Sequence, residues 1–254
     1  MAVLTWRSRK KITYFLGVVF ALALIVFLFI VLGSEEPTCF DGIKNQDEEG
    51  VDCGGVCASC VVNPKDIVTL WTRVLPTDKK GVYEAASLVE NPNLFYGLPA
   101  FKYTFRLYDI KNILVAVREG RTYLNPRERF VLFTANINTG ERIPARAFME
   151  IELISDWRYI DKEKVPLVVS SKRFENIPFP SLGATLLNES LFALKDINVA
   201  AVLYDENENA MAVSSTYLSS IPAESTAGIT FTWPAPFSKI PTSSQIFTRV
   251  NLTE

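Results

Sequence analysis

A tripeptide in the middle of the chain returns almost a hundred residues later, and that recurrence limits the fold more than any other feature. Leu107-Tyr108-Asp109 comes back as Leu203-Tyr204-Asp205, an offset of 96. Pro126 and Glu128 return as Pro222 and Glu224 at the same offset, and Phe133, Ala135 and Ile137 return as Ile229, Phe231 and Trp233. Asn91 corresponds to Asn188 with a slip of one residue, and Phe148-Met-Glu-Ile-Glu-Leu resembles Phe247-Thr-Arg-Val-Asn-Leu. Ordered matches of this kind mean two copies of one structural unit.

Each copy reads as strands. Phe101, Tyr103, Phe105 and Leu107 alternate with Lys102, Thr104 and Arg106, a period of two that sets an aromatic row on one face. Ile197, Val199, Ala201 and Leu203 occupy the same face of the second copy. Asp109 and Asp205 open polar hairpin turns, and long amphipathic helices are absent from the pattern. Short strands with regular turn signals predict an all-β ectodomain of two tandem immunoglobulin-like β-sandwiches, over 63–157 and 158–254. Phe105, Leu107, Leu203 and Trp233 are expected in its cores.

The N-terminus is of another kind. No residue from Ile12 to Ser34 is charged, and fifteen of the eighteen residues from Phe15 to Leu32 are Leu, Ile, Val or Phe. At about −0.3 to −0.6 kcal/mol each, they favour insertion by roughly 5–9 kcal/mol. The segment 12–34 is expected to be one transmembrane α-helix. Arg7, Arg9, Lys10 and Lys11 precede it while Glu35 and Glu36 follow. The positive-inside rule keeps the basic tail 1–11 cytoplasmic and sends the rest out of the cytoplasm, a signal-anchored protein of the cytoplasmic membrane. The apolar run is longer than that of a cleaved signal peptide.

Between anchor and sandwiches lies a cysteine-rich acidic module, 35–62. It holds all four cysteines, Cys39, Cys53, Cys57 and Cys60, read as two disulfides with three possible connectivities. A four-thiolate zinc site is the competing reading, but only Cys57-x-x-Cys60 has the spacing of a zinc knuckle. Asp41, Asn45, Asp47 and Asp52 stand among glycines and are the candidate calcium ligands, since calcium takes short oxygen arms on tight turns. A solvated acidic turn explains the same residues without an ion.

Two resemblances add to this reading. The stretch Cys39-Phe-Asp-Gly through Gly54-Gly-Val-Cys-Ala-Ser-Cys60 resembles a short cysteine-rich motif of secreted microbial surface proteins. Phe105-x-Leu107-Tyr108-Asp109, preceded by Val89-Glu-Asn-Pro-Asn93, resembles the FxLYD domain of microbial envelope proteins, which is similar to the late-embryogenesis-abundant group-two sandwich. The second copy departs from it, with Ala201 in place of the phenylalanine and Val202 in place of the arginine. The resemblance implies a sandwich fold, and it brings no catalytic residues.

Composition narrows the function. The chain has no histidine, which removes Ser-His-Asp and Cys-His nucleophile systems and histidine-bound metals. With the four N-terminal cations set aside, 22 basic residues face 28 acidic ones, no electrostatic footprint for nucleic acid. Asn188-Glu-Ser and Asn251-Leu-Thr match the glycosylation acceptor pattern. The expectation is a non-enzymatic, membrane-anchored extracytoplasmic binding or adhesion protein. Its partners would be the lipid bilayer and an extracellular protein or glycan. The alternative is a structural subunit of a cell-envelope complex.

Overall fold

The computed structural model describes residues 6–33, 38–39, 41–57, 60, 64–152 and 156–253, with part of the helical side chains left out. It divides into two compact units, residues 1–60 and 61–254. The first unit holds one helix, α1 (Trp6–Gly33). α1 contains the expected segment 12–34 as far as Gly33, Ser34 lying outside the described residues, and it begins earlier, taking in residues 6–11 of the expected basic tail. Its side chains from Tyr14 to Leu28 are all exposed, yet among the described residues no helix is long and apolar enough to cross a membrane.

The second unit is all β. Its first half carries β1 (Val68–Pro76), β2 (Val82–Glu90), β3 (Tyr96–Tyr108), β4 (Leu114–Leu124), β5 (Arg129–Asn138), β6 (Arg146–Ile151) and the two-residue β7 (Arg158–Tyr159). Its second half carries β8 (Leu167–Glu175), β9 (Ser181–Asn188), β10 (Leu194–Tyr204), β11 (Ala210–Ile221), β12 (Thr226–Thr232) and β13 (Ser243–Arg249). Every pairing is antiparallel: β1-β2-β5 and β4-β3-β6 in the first half, β8-β9-β12 and β11-β10-β13 in the second. β7, which sequence reading placed in the second segment, hydrogen-bonds to β3 of the first.

Alternation explains the cores. Phe101, Tyr103, Phe105 and Leu107 of β3 are buried with Leu124, Phe130 and Ile137 between the first two sheets. Ile197, Val199, Ala201 and Leu203 of β10 are buried with Leu186, Phe231 and Trp233 between the other two. The turns repeat atom for atom. Asp109 Oδ1 accepts the amides of Lys111 and Ile113, and Asp205 Oδ1 accepts those of Asn207 and Asn209. Asn112 and Glu208, at φ 59° in both cases, occupy the left-handed position of each turn.

Registers correct two of the sequence matches. Leu88 pairs with Val131 and Thr185 with Gly228, so the true offset at this strand is 97 and the equivalent of Ile229 is Leu132, not Phe133. A slip of one residue exchanges the faces of a strand. Phe133 accordingly lies outside the first core while Ile229 is inside the second. Arg106 pairs with Phe148 and Val202 with Gln245, so Phe148 is not the counterpart of Phe247. That slip is two residues, which preserves the face and escapes pattern matching.

A third core cluster joins the halves. Leu75, Ala86, Leu88, Val131, Trp71 and Phe133 on the outer face of β1-β2-β5 pack against Val202, Ala210, Val213, Phe247, Ala200 and Tyr204 on the outer face of β11-β10-β13. The register equivalents of the first set are Glu175, Gly183, Thr185, Gly228, Ser171 and Thr230. Those of Val202 and Phe247 are Arg106 and Glu150, an exposed ion pair. Ala210, Val213 and Tyr204 correspond to Leu114, Val117 and Tyr108, so it is the outer face of β8-β9-β12 that is polar where that of β1-β2-β5 is apolar.

Candidate functional site

Two places gather functional side chains, one in each unit. In the cysteine-rich module Cys39 bonds Cys57 and Cys53 bonds Cys60, one of the three connectivities open to the sequence. The bonds overlap along the chain with separations of 18 and 7. Chain-entropy reasoning assigns them about 3 and about 2 kcal/mol.

Of the four candidate calcium ligands, Asp41 and Asp52 accept hydrogen bonds from their own loop, whereas Asn45 Oδ1 is buried without a hydrogen-bond partner. Asp41 accepts hydrogen bonds from the Thr38 amide, the Ile43 amide and Asn45 Nδ2, at 2.9–3.0 Å. Its carboxyl is held below the usual carboxylate range, the Thr38 amide contributing most. Asp52 takes the Gly42 amide on both oxygens. Asp47 is exposed at φ 60°. Buried Glu48, which sequence reading passed over, organises the turn by accepting the amides of Asn45 and Asp52. Its Oε1 lies 3.1 Å from Cys57 Sγ, and Cys39, Glu48 and Cys57 are the one acid-and-cysteine group among the described residues whose ligand atoms fall within 4.8 Å. Both sulfurs belong to the Cys39–Cys57 bond, so neither can donate a proton or act as a thiolate ligand.

In the β unit, each half has a buried asparagine that ties the β2–β3 or β9–β10 loop to the next turn. Asn91 Nδ2 donates to the carbonyls of Tyr96 and Asn125, and its Oδ1 accepts the Asn93 amide. Asn188 Nδ2 donates to the carbonyls of Phe192 and Pro222, and its Oδ1 accepts the Ser190 amide and hydroxyl. Asn188 is fully buried, so its acceptor pattern is a side-chain turn and not a glycan site. Asn251 makes the same turn to Thr253.

The C-terminal strand crosses into the first half. Arg249 meets Glu128 at 2.7 Å, with each side chain only 10% exposed. Its guanidinium also donates to Thr122 Oγ1 and the Tyr123 carbonyl, and lies over the rings of Tyr123 and Phe130. Asn125 Nδ2 donates to the Val250 carbonyl and its Oδ1 accepts the Leu252 amide.

Beside this clamp two adjoining clefts open, of about 450 and 830 Å³. The larger is bounded by the connector 162–166, the loop 189–196 and residues 250–252. Its size is that of a ligand site. Leu191 and Phe192 stand 84% and 60% exposed at its wall. Sequence reasoning did not find these residues, because an exposed Leu-Phe pair next to a strand has the same local pattern as a buried one.

No family profile matches the chain, and no curated protein matches it. Among solved structures, a red sea bream transglutaminase is similar over 71% of this chain and 31% of its own length, at 6% identity and a TM-score of 0.21. The chain thus spans about a third of that structure, and so low a score carries no argument about fold or activity.

Proposed function

We propose that this chain is a membrane-anchored, extracytoplasmic binding protein of the FxLYD type, with two immunoglobulin-like sandwiches presented on a disulfide-bonded stem. The observation that carries the binding role is the open cleft, with Leu191 and Phe192 exposed on a body otherwise locked by three cores and the Arg249 clamp. Exposed aromatic and aliphatic groups at a loop cluster on a rigid scaffold are the usual substrate for recognition.

The anchor is supported by α1 and by its sequence. The helix has 28 residues, about 42 Å at 1.5 Å each, and apolar sequence continues past the last described side chain, Leu28, to Leu32. Two disulfides and no free cysteine suit an oxidising compartment. The missing histidine favours binding over proton-transfer catalysis.

Site-specific photo-crosslinking in native membranes tests the binding role. A benzophenone side chain at position 192 should give one crosslinked protein, and the same group at Ile110, exposed on the first hairpin turn, should not. Equal products from both positions would overturn it. Protease added to spheroplasts should digest residues 61–254 and leave the anchor in the membrane. Soluble protein trimmed near Ser34 would overturn the anchor.

A further inference from the structure

The cleft of the second half corresponds to a place that the first half has filled with its own chain. Asn91 Nδ2 donates to the Tyr96 carbonyl and Asn188 Nδ2 to that of Phe192, so Tyr96 and Phe192 are equivalent. Leu98 pairs with Leu124 and Leu194 with Ile221, all four being buried core positions, which makes Gly97 and Ala193 equivalent as well.

In the first half β7 lies antiparallel along these residues, Tyr159 opposite Tyr96 and Arg158 opposite Gly97. The Ile160 amide donates to the Phe95 carbonyl at 2.7 Å. The Tyr159 ring stacks on Phe95 at 5.7 Å and meets the edge of Tyr96 at 5.9 Å. With that cover Phe95 is 40% exposed and Ile160 is buried. In the second half, among the described residues, no strand pairs with Phe192 or Ala193. The larger cleft lies there instead, walled by Leu191, Phe192, Val165, Val250 and Leu252.

We propose that this cleft is a strand-addition site, in which an extended segment of a partner protein lies antiparallel along Phe192–Ala193 and sets an aromatic side chain over Leu191 and against the edge of Phe192. The proposal rests on the reading of the cleft as a binding site and names its ligand. Strand addition draws affinity from main-chain hydrogen bonds and selectivity from side-chain pockets. Two selectivity features follow from the residues. A Cβ built on Gly97 would lie 2.4 Å from the Leu124 carbonyl oxygen and 2.6 Å from Ile160 Cδ1, so the backbone at Ala193, which carries that methyl, must sit differently. The methyl takes up room that the Ile160 side chain has in the first half; the partner residue after the aromatic one is therefore small. Lys162, Lys164 and Lys195 are matched by Glu163, Glu189 and Asp196 around the rim, so the site does not select for net charge and binding responds weakly to salt.

The test appends a second copy of residues 156–161, carrying Ile160→Ala, to the C-terminus of the full chain. A Gly/Ser linker of about 20 residues reaches roughly 25 Å and supplies an effective concentration near millimolar. Amide hydrogen exchange over 189–196 should slow at least tenfold in this fusion. The slowing should vanish with Tyr159→Ser in the appended copy, and with Phe192→Ser in the body, whose exposed ring carries no core packing. No slowing, or slowing that ignores both substitutions, overturns strand addition. If crosslinks from position 192 persist in that case, the cleft binds in another way. Concentration-dependent slowing in the unfused chain would make the occupant a second copy, and overturns the partner assignment.

Discussion

Removing Arg249 tests whether the two halves are held by a buried charge pair or by apolar contact alone. In Arg249→Met the ring contacts are largely kept, since a straight apolar chain can still lie between Tyr123 and Phe130. What is lost is the pair with Glu128 and the bonds to Thr122 and the Tyr123 carbonyl. Glu128 then keeps its charge at a site only 10% exposed, held by Asn125 through its amide and Nδ2. Breaking a buried pair in this way costs about 3–5 kcal/mol. The two surviving Asn125 bonds place the expected cost at the lower end, about 3 kcal/mol. For a unit of this size each kcal/mol moves the midpoint by about 2–4 °C, so thermal unfolding should fall by about 6–12 °C. Glu128→Gln should cost a similar amount, because it leaves the guanidinium unpaired. The double variant Arg249→Met, Glu128→Gln buries no lone charge and should cost at least about 2 kcal/mol less than the two single losses added together. Thermal or urea unfolding of the full chain in detergent, followed by tryptophan emission, reads all three variants. Additive effects, or a loss below about 1 kcal/mol for Arg249→Met, would show that solvent screens the pair and would refute this account.

Three further outcomes are expected. Burial raises the Glu84 carboxyl from 4.5 to about 7; the folded state therefore keeps a proton that the unfolded chain has lost, and stability falls as pH rises from about 4.5 to about 7. Glu84→Gln should abolish that decline and gain about 1–2 kcal/mol at pH 8, after discount for partial exposure, and an unchanged slope of stability against pH would be contrary. Asn188→Ala should cost about 2–4 kcal/mol by removing the partners of the Pro222 carbonyl and the Ser190 amide, and Asn188 should stay unmodified by a glycosylating host, as intact mass would show. In the cysteine-rich module Asp41→Ala should lower stability equally in calcium and in chelator, because amides already occupy its oxygens, whereas reductant should unfold the module; a melting shift with calcium that depends on Asp41 would contradict this.

The cores and turns were legible in the chain because their causes are local. Alternation at period two puts Phe105 and Leu107, or Ala201 and Leu203, on one face of a strand whatever lies beyond it. Asp109 and Asp205 close their turns through amides two and four residues on, so their geometry needs no tertiary support. Asn91 and Asn188 also bond an amide two residues on, but their depth was not visible in the chain, since Asn188 reaches Pro222 only after two strands have folded back.

What covers an outward face is a different kind of fact. Trp71, Leu88 and Phe133 sit on an outer face by period two, and Ser171, Thr185 and Thr230 sit on the matching one, but only the packed structure shows β11-β10-β13 resting on the first of these. The choice among three disulfide pairings, the burial of Glu48 and the meeting of Arg249 with Glu128 across 121 residues are of this sort. So is the contrast between Tyr96, which β7 covers, and Phe192, which no described strand covers. By itself the sequence determined two copies of an alternating β unit, an apolar helical segment over 12–34 and a stem of four cysteines, because propensity and period act over a few residues. The tertiary structure alone decided which faces meet and which seat stays open, because contacts between residues distant in the chain depend on how whole sheets stack, and no local pattern encodes that.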